Sequence, residues 1–237
     1  YNYVFIHASE HEIYRMKQWL PLYNFLPRIK DGKCEYHPYL SEEAMTNLQW
    51  VADRVDIDNY LTYVAMEMLV ANTDTGNIKF YRVPGGKWKY LLFDVEACWR
   101  NLDKTPLEYY IKPVTAKIQG FRHEPLNALL AVPEMKAKFL TRVAEILEKH
   151  FQWPDVEAHF NEVIDVLEPI LPRHIARWKN MKLSNWQKNI SATEYYARVR
   201  PKKIPEMLQK AMKLTDEEVE TYFGEVLRLL EETNTKK

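Results

Sequence analysis

Between Val55 and Arg100 the hydrophobic period of the chain changes twice, and any fold must accommodate that order. Ile57, Leu61, Val64 and Met68 recur at helical spacing, which predicts a helix from about Asp58 to Ala71. The pattern stops at Asn72-Thr73-Asp74-Thr75-Gly76-Asn77, a run of turn formers between two apolar elements. Ile78 to Val83 and Lys87 to Phe93 then read as strands joined by Pro84-Gly85-Gly86. The second strand runs out into Phe93-Asp94-Val95-Glu96. A hairpin brings its outer ends side by side, so the carboxylates of Asp74 and Asp94 are expected close enough to share one site.

The rest of the chain reads as helical. Tyr1 to His7 is a short strand or extended arm, Ser9 caps a helix, and Pro21 bends or ends it. Lys30 to Leu40 is a loop turning at Asp31-Gly32, and Ser41 starts a helix that carries Leu48, Val51 and Val55 on one face. Thr105-Pro106-Leu107-Glu108 is a helix start, with a Thr cap, Pro at the first helical position and Glu three residues after the cap. Leu126 to Ala131 and Glu134 to His150 are helices separated by Pro133, the second with a stripe of Leu140, Val143, Ala144 and Leu147. A helix opening at Trp153-Pro154-Asp155 has Val156, Phe160, Val163, Ile164 and Leu167 as its apolar face. Pro169 and Pro172 interrupt it, and Ile175 to Met181 resumes it. Ser191 to Glu194 and Thr215 to Glu218 read as capping boxes opening helices at about Thr193 and Asp216. The expected architecture is α+β and mostly α, a helical bundle with one embedded hairpin. It is read as a single domain over 1–237: an arm and helix over 1–40, the helix–hairpin core over 41–104, and a helical remainder over 105–237.

Composition narrows the function classes. Lys+Arg 33 balance Asp+Glu 33, which argues against nucleic acid as the main partner, because such domains carry a basic excess. Two cysteines, Cys34 and Cys98, make neither a disulfide framework nor a zinc pattern; they are read as buried thiols, or as one disulfide in an oxidising compartment. No apolar run long enough to span a membrane and no signal peptide is present. The chain opens at Tyr1 without a Met, which suggests a piece of a longer protein. His7 and His11 have a spacing that holds metals on a helix, but no third ligand stands nearby.

The two acidic turns carry the chemistry. In phosphoryl transfer one carboxylate accepts the proton of the acceptor hydroxyl, while an Asn and a second Asp hold Mg²⁺. In those terms Asp74 is the base, and Asn77 and Asp94 are metal ligands. The spelling departs from ordinary protein kinases, whose Asn follows the Asp by five residues rather than three and whose second Asp precedes a Gly. The plain reading is equally complete. Asp74 and Asn77 are turn residues bonding to nearby backbone, Asp94 bonds to the next turn, and Glu96 pairs with Arg100. Asp58 and Asn59 read as helix-cap groups, Trp88, Trp153 and Trp178 as core, and Arg198 and Arg200 as surface groups or contacts for an anionic substrate. Lys30 and Lys79 are candidate phosphate ligands with no supporting motif, and only 6 Gly are present with no phosphate-cradling pattern.

Asp58-Asn59-Tyr60, Asn72-Thr73-Asp74, Asn77, Phe80-Tyr81-Arg82, Trp88 and Phe93-Asp94-Val95-Glu96 together resemble the spore-coat protein H (CotH) kinase family. Looser similarity, chiefly in Tyr195 to Lys213, extends over about Ser41 to Leu214. The resemblance implies a kinase-like C-terminal lobe lacking its nucleotide-covering N-terminal lobe, in an atypical protein kinase using ATP and Mg²⁺ or Mn²⁺. It implies Asp74 as catalytic residue, Asn77 and Asp94 at cofactor and metal, and Glu96 as a further metal ligand where Asp is common. The implied substrate is a Ser/Thr-containing coat or surface protein, at an extracellular, cell-surface or spore-coat location. Two readings of other classes stand beside it: a noncatalytic envelope or coat scaffold of the same fold, and a carbohydrate-binding module presenting a row of Trp and Tyr.

Overall fold

The computed structural model describes residues 28–30, 33–35, 51–72, 79–96, 98, 99, 102, 107, 126 and 129–235. In order these form strands β1 (Arg28–Lys30) and β2 (Lys33–Glu35), helix α1 (Ile57–Leu69), and strands β3 (Lys79–Tyr81) and β4 (Lys89–Leu91). Helices α2 (Pro133–His150), α3 (Trp153–Leu167), α4 (Leu171–Trp178), α5 (Leu183–Met212) and α6 (Asp216–Thr235) follow, with a 3-10 turn Glu168–Ile170 between α3 and α4. The fold is α+β and mostly α, with the expected hairpin at β3–β4. A second hairpin pairs β1 with β2, Ile29 opposite Cys34, where the sequence reads as loop. Three-residue strands are too short for a two-residue alternation to register in sequence. The expected helix starts at Ser9 and Ser41, the Thr105 cap and the His7–His11 pair lie outside the described residues.

The chain divides into two compact units, Tyr1–Met68 with Thr73–Val95 and Pro106–Phe139, and Leu69–Asn72 with Glu96–Thr105 and Leu140–Lys237. In the first, α1 is the buried element. Tyr60, Leu61, Val64, Ala65 and Met68 are all but inaccessible, and Tyr63 and Glu67 are buried too. A helix apolar nearly all round has to sit inside the fold rather than on its surface. The helix stops at Leu69 and Ala71 takes a left-handed φ of 53°, the conformation that commonly ends helices.

In the second unit α5 packs along α6 and against α3 and α4, and α6 also packs on α3. Ile204 and Leu208 of α5 and Phe223, Val226 and Leu230 of α6 are buried. The cap at Thr215 is as read. The Glu218 N–H donates to Thr215 Oγ1 at 3.1 Å and the Thr215 N–H to Glu218 Oε2 at 2.8 Å. The Ser191 box is not a helix start, for it lies inside α5, where Ser191 Oγ bonds back to the Gln187 carbonyl at 3.3 Å. A Ser hydroxyl serves either role, and an adjacent helical run decides which. Trp178, read as core, is 60% exposed, as are Val163 (57%) and part of Leu167 on the expected apolar face of α3.

Arg200 is the buried charge that ties this unit together. At 1% exposure, its Nε donates to the Leu69 carbonyl at 2.7 Å and Nη1 to the Leu102 carbonyl at 2.9 Å. Its guanidinium lies 5.5 Å from the Tyr196 ring, which stacks on Trp99 at 5.9 Å. The Trp99 N–H in turn donates to the Val70 carbonyl at 2.9 Å. Neither surface exposure nor contact with an anionic substrate describes Arg200. Its Nε satisfies an orphan carbonyl at the end of α1. Arg200→Met is expected to cost about 3 kcal/mol, the scale of losing two buried charge-assisted bonds, read as a lower urea midpoint at unchanged slope. Arg200→Lys should recover less than half, because an ammonium cannot reproduce the fork.

Candidate functional site

The hairpin is built against the start of α1 by three successive devices. Asp56 caps the helix, its Oδ1 accepting the Asn59 N–H at 3.0 Å. That bond holds its carboxyl below the usual carboxylate range against the opposing effect of burial, and the Lys89 ammonium at 3.3 Å adds to it. Next, Trp88 bridges to Val55 in parallel: the Asp56 N–H donates to the Trp88 carbonyl at 2.9 Å, and the Trp88 N–H to the Arg54 carbonyl at 2.7 Å. Finally the Asn59 amide grips the Tyr90 peptide on both sides. Its Oδ1 accepts the Tyr90 N–H at 2.6 Å, and its Nδ2 donates to the Tyr90 carbonyl at 3.2 Å. A side-chain amide thereby stands in for a neighbouring strand at an edge that would otherwise present unpaired groups. Asn59 is no helix cap. Asp58 is exposed and pairs with Lys138 at 2.9 Å.

Rings fix the same contact. Tyr90 lies 4.8 Å from Tyr60, 5.3 Å from Tyr63 and 5.8 Å from Phe80, and Phe80 meets Trp88 edge-on at 5.4 Å. Burial, then the Glu67 carboxylate one helical turn on, push the Tyr63 phenol well above its ordinary range. At the far end, Pro84-Gly85-Gly86 closes a type II turn: the Gly86 N–H donates to the Val83 carbonyl at 2.9 Å, and Gly85 has φ 75°. That φ is the one the third position of such a turn requires, and glycine supplies it without strain.

β4 therefore delivers its continuation, Phe93-Asp94, from a fixed base. The pairing of Lys79 with Leu91 marks the last described rung. Lys79 is exposed, and its ammonium sits 3.3 Å above the centre of the Phe93 ring in a cation–π contact. Asp94 is half-buried with φ 60°. Left-handed backbone at a non-glycine residue is uncommon, tolerated best by Asp and Asn, and concentrated at functional sites. Glu96 is exposed. Asp74 and Asn77, the other half of the expected site, lie outside the described residues, as does the side chain of Lys30. Among the described residues no group of three or more His, Cys, Asp and Glu is placed to hold a metal. The described part of the site thus contributes two carboxylates two residues apart. Carboxylate and amide oxygens are the hard donors that Mg²⁺ takes, so the residue types named for the site fit that ion. Arg198 is drawn over the Trp153 ring at 4.9 Å.

The residues that hold the site are those a motif search passes over. Asn59 reads as a cap because it stands at the start of a helix, whereas Asp56 is the residue that takes an N–H there, that of Asn59. Only the pairing partner of β4 reveals its amide as a clamp.

Among the described residues the fold is mostly α, with the β3–β4 hairpin leading into the half-buried Asp94. A model of the CotH kinase protein family matches residues 13–204, most of the chain. The chain belongs to the CotH kinase family. No curated protein is similar enough to be matched with it.

Asn59→Ala should remove both bonds to Tyr90 and cost about 2 kcal/mol, measured by urea unfolding, with fluorescence of the Trp88 environment changed. Asp56 has a depressed folded value, so its contribution is present above the ordinary carboxylate range and is lost as pH falls through the folded value. Replacing it by Asn, which still caps, should flatten the stability loss below about pH 4 relative to the parent.

Proposed function

We propose that this chain is the catalytic lobe of an atypical protein kinase that moves a phosphoryl group from ATP to a protein hydroxyl. In this reading Asp74 orients and deprotonates the acceptor hydroxyl, and Asn77, Asp94 and Glu96 supply oxygen ligands to Mg²⁺ or Mn²⁺. A divalent ion bound there would neutralise charge on the phosphates. Catalysis of this kind is chiefly positioning and charge stabilisation, which demands that the ligand-bearing turn be held still. The observation that carries the reading is Asp94: a left-handed, half-buried Asp at the end of a strand clamped on two sides, inside the span matched by the kinase family. A kinase-like family suggests a protein substrate. Ser/Thr-containing surface or coat proteins are its proposed members, and a cell-surface or spore-coat location goes with them. Among the described residues no helix is long and apolar enough to cross a membrane.

Calorimetry with ATP and Mg²⁺ or Mn²⁺ tests the reading on this chain and on Asp94→Ala. Metal-dependent binding is expected, lost in the variant, with Asp74→Ala retaining binding and losing about 10²- to 10⁴-fold in transfer to a protein acceptor. Binding indifferent to Asp94→Ala, or no binding with any upstream lobe restored, overturns it.

A further inference from the structure

Two stretches of chain frame the proposed site. The first acidic turn opens at Asn72, directly after Leu69, Val70 and Ala71, and the second, Phe93 to Glu96, runs out through Cys98 and Trp99 to Leu102. Leu69–Asn72 and Glu96–Thr105 belong to the same compact unit. The two stretches are joined twice. The Trp99 N–H donates to the Val70 carbonyl at 2.9 Å. Arg200 spans them again, with Nε on the Leu69 carbonyl at 2.7 Å and Nη1 on the Leu102 carbonyl at 2.9 Å. Leu69, Ala71 and Asn72 are buried, so the entrance to the first turn is enclosed as well as bonded.

The backbone marks the same place. Among the described residues five that are not glycine take a left-handed φ: Ala71, Asp94, Trp99, Lys179 and Lys213. Lys179 and Lys213 cap the C-termini of α4 and α5, and Ala71 follows the end of α1, where this conformation is common. Asp94 and Trp99 end no helix. A bulky residue at φ 56° is a steric outlier that persists only where its contacts over-determine it. Those of Trp99 are the Val70 carbonyl and the Tyr196 ring, stacked at 5.9 Å with 20° between the planes. The Arg200 guanidinium lies 5.5 Å from that ring. Stability alone does not call for this arrangement. Apolar groups of similar volume commonly match or better a buried ion, and a relaxed backbone at Trp99 would be lower in energy. Cation and strain together hold a position.

We propose that Arg200 is a positioning residue for phosphoryl transfer, setting the spacing of the two acidic turns by holding the segment that enters the first against the segment that leaves the second. This rests on the kinase reading, in which Asn77 of the first turn and Asp94 of the second serve one divalent ion. Ligands drawn from two turns keep their geometry only while the turns keep their spacing. Mg²⁺ demands near-ideal octahedral geometry, whereas Ca²⁺ accepts longer and less regular coordination. Loosening the link therefore costs Mg²⁺ more than Ca²⁺, and a general loss of stability does not separate the two ions.

Calorimetry of ATP binding to the full chain, with Mg²⁺ and separately with Ca²⁺, reads the difference. Arg200→Met should weaken binding about tenfold more with Mg²⁺ than with Ca²⁺, the scale on which lost support for a ligand acts. Arg200→Lys keeps the charge and provides a folded variant if the Met variant does not fold; it should move the ratio the same way by less. Leu230→Ala truncates a buried side chain of α6 in the same unit, so it lowers stability without removing a bond of the link, and it should leave the ratio unchanged. Hydrogen exchange of the Trp99 amide, followed by NMR without nucleotide, judges the link itself. Protection is expected in the parent and in Leu230→Ala and should be lost in Arg200→Met. A ratio that neither Arg200 variant moves, one that Leu230→Ala moves as far, or a Trp99 amide that stays protected overturns the proposal. A parent that binds ATP with neither ion, any upstream lobe restored, sinks the kinase reading and the positioning role together, whereas a parent that binds with an unmoved ratio sinks the positioning role alone.

Discussion

The second unit depends on one buried cation. Arg200 gives its Nε to the Leu69 carbonyl and its Nη1 to the Leu102 carbonyl while its guanidinium lies along Tyr196. Placing a charge at 1% exposure is costly unless its donors are met. Here they are met by backbone oxygens that would themselves be orphaned. The last carbonyls of a helix have no intrahelical donor, and α1 ends at Leu69. A left-handed Ala71 then turns the chain, and the Val70 carbonyl finds the Trp99 N–H. One side chain of α5 and one stacked pair, Trp99 on Tyr196, thus fix the residues that follow α1 and those that follow the second acidic turn. The cost of burying the cation is offset where the Leu69 and Leu102 carbonyls accept its two donors.

The hairpin relies on the same economy at its own edge. A three-residue β4 paired with only three residues of β3 would be marginal as an isolated ribbon. It persists because its outer edge is occupied, at Trp88 by the Arg54 and Asp56 backbone and at Tyr90 by the Asn59 amide. Asp56 does two jobs: its carboxyl caps the helix that carries Asn59 and pairs with Lys89 on the strand that Asn59 holds. A strand fixed this way can carry an unfavourable backbone at Asp94, since left-handed geometry at a non-glycine residue survives only where surrounding contacts over-determine it.

Legibility in the sequence followed the range of the signal. α1, the turn at Pro84-Gly85-Gly86, the stripe of α2 and the Thr215 capping box are set by neighbours within a few residues, and each could be read directly. The Ser191 box has the same local spelling as the Thr215 box, but it sits within a 30-residue helix whose continuation only tertiary packing determines. Arg200 was illegible for a different reason. Its partners lie 131 and 98 residues away in the chain, and nothing local distinguishes an arginine spent on carbonyls from one facing solvent. Asn59 fell between these cases, because its place at the start of a helix was visible and its grip on Tyr90, 31 residues on, was not.

The apolar face of α3 shows how a correct periodic pattern can still mislead. Val156, Phe160 and Ile164 turn inward while Val163 and Val166, one residue around the helix, stand in solvent. An apolar arc wider than one packed neighbour can cover signals either a second neighbour or a surface tolerant of exposure. Periodicity fixes which side chains share a face, and the neighbours that cover that face are set by the rest of the fold.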